Sequence, residues 1–126
     1  MMSKILIIED EELMLKALQF RLIKDGYEVV TARDGMQALA LIKATVFDLV
    51  ITDIMLPFVG GLEIINKIKS EPESKDTPVI VLSAVGLEKT VMEAFSLGVD
   101  DFITKPFNLS ELSIRVRKNI KVSTSN

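Results

Sequence analysis

The chain contains no cysteine, no histidine and no tryptophan, and a single tyrosine. Without cysteine there is no disulfide, no thiolate nucleophile and no zinc finger, a usage that fits the cytoplasm. Without histidine no imidazole serves as base, metal ligand or phosphoramidate carrier, so triad hydrolases and histidine-based metal sites are excluded. The shortage of aromatic residues leaves a base-stacking platform poorly supplied. A net charge of −3 and a pI near 5.0 argue against direct nucleic-acid binding. No run approaches the roughly 18 apolar residues of a membrane span. The apolar stretch Ile5–Ile8 ahead of Glu9–Glu12 is too short for a signal peptide.

What remains is a 126-residue chain, 48% hydrophobic and 26% charged, which suits one folded domain with one core. The expected domain is residues 1–122, followed by a polar tail at 123–126. Short apolar runs alternate with longer amphipathic segments, the pattern of parallel strands joined by crossover helices. Strands are predicted at Ile5–Ile8, Glu28–Thr31 (weaker and edge-like), Leu49–Thr52, Val79–Leu82 and Phe102–Thr104. Helices are predicted at Leu13–Asp25, closed by Gly26, at Gly35–Ala44, Leu62–Lys69 and Glu88–Leu97, and from Asn108 onward. Asn108 and Glu111 have the spacing of a capping box, with Phe107 and Leu112 as its hydrophobic staple. Gly60 and Gly61 after Pro57 predict a turn with positive φ at one of them. The result is an α/β domain, (βα)5.

Asp53 closes the run Asp48-Leu49-Val50-Ile51-Thr52-Asp53, a strand buried on both faces with an acid at its carboxyl end. Such an acid is costly to desolvate unless it is paired, metal-bound or chemically used. Three other apolar runs end in groups that could use it: Glu9 with Asp10, Ser83, and Lys105. Ligands of open α/β sheets sit at these strand ends. Three carboxylates together repel one another; a divalent cation and one lysine cancel the excess. Oxygen-only donors point to Mg²⁺, with Mn²⁺ or Ca²⁺ left open. An acid, such a cation, a lysine and a hydroxyl form the set a phosphoryl-transfer site needs, with the carboxylate as nucleophile and an aspartyl phosphate as product.

Four segments carry a resemblance that spans nearly the whole chain: Ile-Leu-Ile-Ile-Glu-Asp-Glu at 5–11, Asp-Leu-Val-Ile-Thr-Asp-Ile-Met-Leu-Pro at 48–57, Pro-Val-Ile-Val-Leu-Ser-Ala at 78–84 and Gly-Val-Asp-Asp-Phe-Ile-Thr-Lys-Pro-Phe at 98–107. In this order they resemble the receiver domain of two-component response regulators. The resemblance implies a doubly wound, flavodoxin-like parallel sheet of order 2-1-3-4-5. It implies that Asp53 accepts a phosphoryl group from the phosphohistidine of a partner histidine kinase or phosphotransfer protein. By the same resemblance Mg²⁺ is held by Asp10, Asp53 and the Met55 backbone carbonyl, with Glu9 acting through water. Lys105 contacts the phosphoryl group, Ser83 and Phe102 form the switch, and the Lys105–Pro106 bond is cis. Relatives often carry tyrosine where this chain has Phe102, so a hydroxyl-bonded form of the switch is unavailable.

The implied output face is the fourth helix, fifth strand and last helix, residues 88–122. Asp100, Asp101, Glu111, Arg115 and Arg117 resemble the salt-bridging residues with which transcription-regulator receivers form homodimers there. Val91 and Leu97 stand where charged residues are expected, which suggests an apolar contact patch instead. Met55 and Val85, two residues beyond Asp53 and Ser83, are apolar and would not position an attacking water, so a long-lived acyl phosphate is expected. Three alternatives compete. An Asp-nucleophile phosphatase would have a second acid at Met55. A nucleotide- or flavin-binding module would have a glycine-rich loop where Glu9–Glu12 stand. A degenerate receiver would act as a phosphate-independent scaffold.

Overall fold

The computed structural model describes residues 2–84 and 87–120. Ten elements alternate along the chain: β1 (Lys4–Ile8), α1 (Glu12–Lys24), β2 (Glu28–Ala32), α2 (Gly35–Ala44), β3 (Leu49–Thr52), α3 (Gly61–Ser70), β4 (Val79–Ser83), α4 (Glu88–Ser96), β5 (Asp101–Thr104) and α5 (Leu109–Asn119). The five strands form one parallel sheet in the order β2-β1-β3-β4-β5. The expected domain end at 122 and the tail at 123–126 lie outside the described residues.

Strand composition explains strand position. Every residue of β3 and β4 is buried, as is β1 after Lys4, which is how strands covered on both faces read. The strands β2 and β5 carry polar, partly exposed residues and take the two edges. Alternate residues of each central strand point to opposite faces. Leu6, Ile8, Val50, Val79 and Val81 pack with Ala38, Ile64, Ile65, Ile68 and Ala94 of α2, α3 and α4. Ile5, Ile7, Leu49, Ile51, Ile80 and Leu82 pack on the other face with Leu15, Leu18 and Leu22 of α1 and Leu112 and Val116 of α5.

Chain direction across the sheet locates the site. From β1 the chain moves outward to β2, then crosses back to β3 on the other side of β1. The helices therefore leave β1 and β3 on opposite faces, and a crevice opens at the carboxyl ends of these two neighbours. Ile8 of β1 is in register with Thr52 of β3, so Glu9 and Asp53 emerge side by side.

Local features depart from expectation in two places. Neither Gly60 nor Gly61 takes positive φ; the left-handed residue of the β3–α3 loop is Phe58, at φ 70°. Gly61 is required for a different reason, because a Cβ there would overlap the Asp53 carbonyl oxygen. The α5 cap is one-sided. Asn108 Oδ1 accepts from the Glu111 backbone N–H at 2.9 Å, but the Glu111 carboxylate turns instead to Arg115 Nη2, also at 2.9 Å. Gly26 closes α1 in the left-handed region, at φ 100°.

Candidate functional site

Lys105 follows the last strand, and its Nζ reaches across two strands into the crevice. It donates to Glu9 Oε1 and to Asp53 Oδ2, each at 2.9 Å. Asp53 is nearly buried at the end of β3. Its remaining oxygen, Oδ1, accepts from the Met55 backbone N–H at 3.1 Å, and its own N–H donates to the Ile8 carbonyl at 3.2 Å, tying it to β1. Glu9 is 2% exposed, and its Oε2 accepts from the Glu11 backbone N–H at 3.2 Å. Ser83 is fully buried at the end of β4, and its carbonyl accepts from the Lys105 backbone N–H at 2.9 Å. The Lys105–Pro106 peptide is cis.

Electrostatics follow from this packing. Burial pushes the Glu9 carboxyl above its ordinary 4.5, against the opposing pull of the Lys105 hydrogen bond and the Glu11 amide. Desolvation alone would lower Lys105, but the hydrogen bonds and charges of Glu9 and Asp53 outweigh it and hold the ammonium above its ordinary 10.5. One cation thus serves two carboxylates, and Asp10 adds a third acid at the mouth.

The structure brings Glu9, Asp53 and Lys105 into direct contact and leaves Asp10 exposed beside them. Among the described residues no cluster of three or more histidine, cysteine, aspartate or glutamate side chains is arranged to hold a metal ion. The available donors are the carboxylates of Asp10 and Asp53 and the main-chain carbonyl of the exposed Met55. This all-oxygen set fits Mg²⁺, which is commonly bound by one or two carboxylates while keeping several waters. Two contributions escaped the sequence: the Met55 amide as a donor to Asp53, and Gly61 as the residue that lets α3 start against the Asp53 carbonyl. Only the glycine pair after Pro57 hinted at the second.

Phe102 of β5 is half-buried and packs against the core beneath α2, α3 and α4. On the face that includes α4 and α5, Arg115 is occupied within the chain, by Asp101 at 2.7 Å and Glu111 at 2.9 Å, while Asp100 pairs with Lys69. Val91 and Leu97 are partly exposed, and Leu97 also packs on the core. The exposed apolar residues of these elements are Leu87, Met92, Phe95 and Ile114. Val85 lies outside the described residues. No helix among the described residues is long and apolar enough to cross a membrane.

A doubly wound sheet of this order, with an acidic pair, a strand-end aspartate and a lysine meeting at its switch point, defines a response-regulator receiver. Residues 5–117 match the response regulator receiver domain family, and the chain belongs to it. Receivers of this family are phosphorylation-dependent signalling domains rather than ordinary enzymes. The chain is 36% identical over 121 residues to the phosphate regulon transcriptional regulatory protein PhoB of Rhizobium meliloti, covering 96% of this chain and 53% of that protein. It therefore spans about half the length of that curated relative. Among solved structures it is similar to chemotaxis response regulator CheY4 of Vibrio cholerae, at 29% identity and a TM-score of 0.88, covering 94% of this chain and 98% of that one. It is also similar to response regulator TrrA of Thermotoga maritima in complex with Mg²⁺–BeF, at 33% identity and a TM-score of 0.83, covering 93% and 98%.

Proposed function

We propose that Asp53 is the phosphoacceptor of a signalling switch, receiving its phosphoryl group from the phosphohistidine of a separate histidine kinase or phosphotransfer protein. The observation that carries this reading is the Lys105 ammonium held at 2.9 Å from Oδ2 of the buried Asp53 at the strand ends. The phosphohistidine lies outside these 126 residues, which contain no histidine.

Lys105 and the Met55 amide each hold one oxygen of Asp53, which fixes the carboxylate plane before a donor arrives. The Lys105 ammonium then meets the charge added by the phosphoryl group, roughly −1.5 to −2 near neutral pH. Asp10, Asp53 and the Met55 carbonyl, with Glu9 through water, would hold Mg²⁺, which when bound would supply further charge neutralisation. Ser83 offers the remaining phosphoryl oxygen a hydroxyl from the neighbouring strand end. A shift of Ser83 toward that oxygen releases space for Phe102 to move inward, which alters the α4-β5-α5 surface. Differential contacts of this kind bias a two-state equilibrium rather than create a new state.

The output contact on that surface is read as apolar, through Leu87, Met92, Phe95 and Ile114, because Arg115 is already paired within the chain. A homodimer through this face, or an effector docked on it, would use those residues. The phosphatase alternative lacks support, since Met55 supplies no acid two residues after Asp53.

Incubation with a small-molecule phosphodonor and Mg²⁺, followed by intact mass, tests the reading. One added phosphoryl group is expected on the native chain and none on Asp53→Asn. No uptake by the native chain would favour the scaffold alternative. Replacing the exposed Met55 with glutamate, and Val85 with asparagine, should speed decay of the acyl phosphate by giving water an orienting group; equal or slower decay would refute the link between these apolar residues and a long-lived acyl phosphate.

A further inference from the structure

The helix α1 has two apolar stripes, and the fold uses only one. Leu15, Leu18 and Leu22 face the sheet. On the opposite side Leu13, Phe20 and Ile23 stand 78%, 73% and 52% exposed. Together with Lys16 they follow a 3-4-3 spacing, the seam of a helix that packs against a second helix. Charge along α1 is polarised as well, with Glu12 in the first turn and Arg21 and Lys24 in the last.

We propose that α1 pairs antiparallel with α1 of a second copy of this chain. A twofold interface needs a surface complementary to itself, and the outer face of α1 meets that condition when the two helices pair about position 18. With the copies antiparallel, Leu13 lies opposite Ile23 of the second copy, Lys16 opposite Phe20, and Glu12 opposite Lys24. The first contact is apolar, the second sets an ammonium against an aromatic ring, and the third is an ion pair. Each occurs twice by symmetry. A parallel arrangement would stack Glu12 on Glu12 and Lys24 on Lys24, so the charges select the antiparallel one. Glu12 is paired within its own chain to Lys16 at 3.0 Å and Arg33 at 3.4 Å, but these bridges are solvent-exposed and exchange at little cost. One helix of this length buries less than a standard interface, so the association is weak and concentration-dependent.

Sedimentation velocity of the unphosphorylated chain, from about 10 µM to 1 mM to span weak affinities, tests this. A dimer fraction that grows with concentration is expected, and Phe20→Glu should remain monomeric throughout with an unchanged thermal midpoint. Lys24→Glu should weaken association roughly threefold or more, since symmetry breaks the exposed pair twice. The charge swap Glu12→Lys with Lys24→Glu should restore it. A native chain that stays monomeric to 1 mM, or a dimer that survives Phe20→Glu, would overturn the proposal. Loss in Phe20→Glu without recovery in the charge swap would overturn the antiparallel register and leave α1 as a docking face for a different helix.

Discussion

Lys105 holds two carboxylates on one ammonium, and the consequences differ on each side. Glu9 is buried, so removing its cation leaves an uncompensated anion. Lys105→Met should destabilise the fold by about 3 kcal/mol, at the low end for breaking a buried pair because the lysine is partly exposed. Glu9→Gln in the same background should return most of that loss in urea unfolding. The pH dependence has a definite sign. A lysine raised above 10.5 in the fold stabilises it fully below 10.5 and loses that contribution as pH rises through its folded value. The native protein should therefore show an alkaline loss of stability that Lys105→Met lacks. Glu9 has the same sign at lower pH, with burial rather than pairing as its cause. With a folded value above 4.5, its ionised form costs stability at higher pH, and the cost is relieved as pH falls through the folded value toward 4.5. At this scale the sequence was legible in residue identity but not in orientation. Glu9, Asp53, Ser83 and Lys105 stood out because each closes an apolar run. Which member of the acidic pair turns inward depends on the phase of the chain after β1, and no pattern in residues 8–11 sets it.

Element identity was readable because apolar period and flanking caps agree. The α5 start is the clearest case, with Asn108 at the cap accepting from the Glu111 amide. Asn108→Ala should cost about 1 kcal/mol, visible as a lowered thermal midpoint, while Glu111→Ala should cost less because its carboxylate serves Arg115 rather than the cap. The reciprocal half of the capping box could not be foreseen, since it is decided by competition from Arg115 one turn along. The loop after β3 misled for a related reason. Glycine marks both backbone freedom and close approach, and here Gly61 serves the second while Phe58 takes the left-handed conformation.

For the whole molecule, the strand order came from resemblance rather than periodicity, because equal apolar runs permit several orders in a parallel sheet. Only the assignment of edges was visible in composition, through the polar residues of β2 and β5. That order matters because it separates the chain paths leaving β1 and β3, and so creates the crevice where Asp53, Glu9 and Lys105 meet. The central claim is that this crevice directs phosphorylation to a single carboxylate. Its most direct test is to treat the native chain with a small-molecule phosphodonor and Mg²⁺, reduce the acyl phosphate with borohydride, and map the product by peptide mass. The account predicts homoserine at position 53 alone, with the signal lost when Mg²⁺ is chelated. Reduction at any other carboxylate, or none in the folded protein, would contradict it.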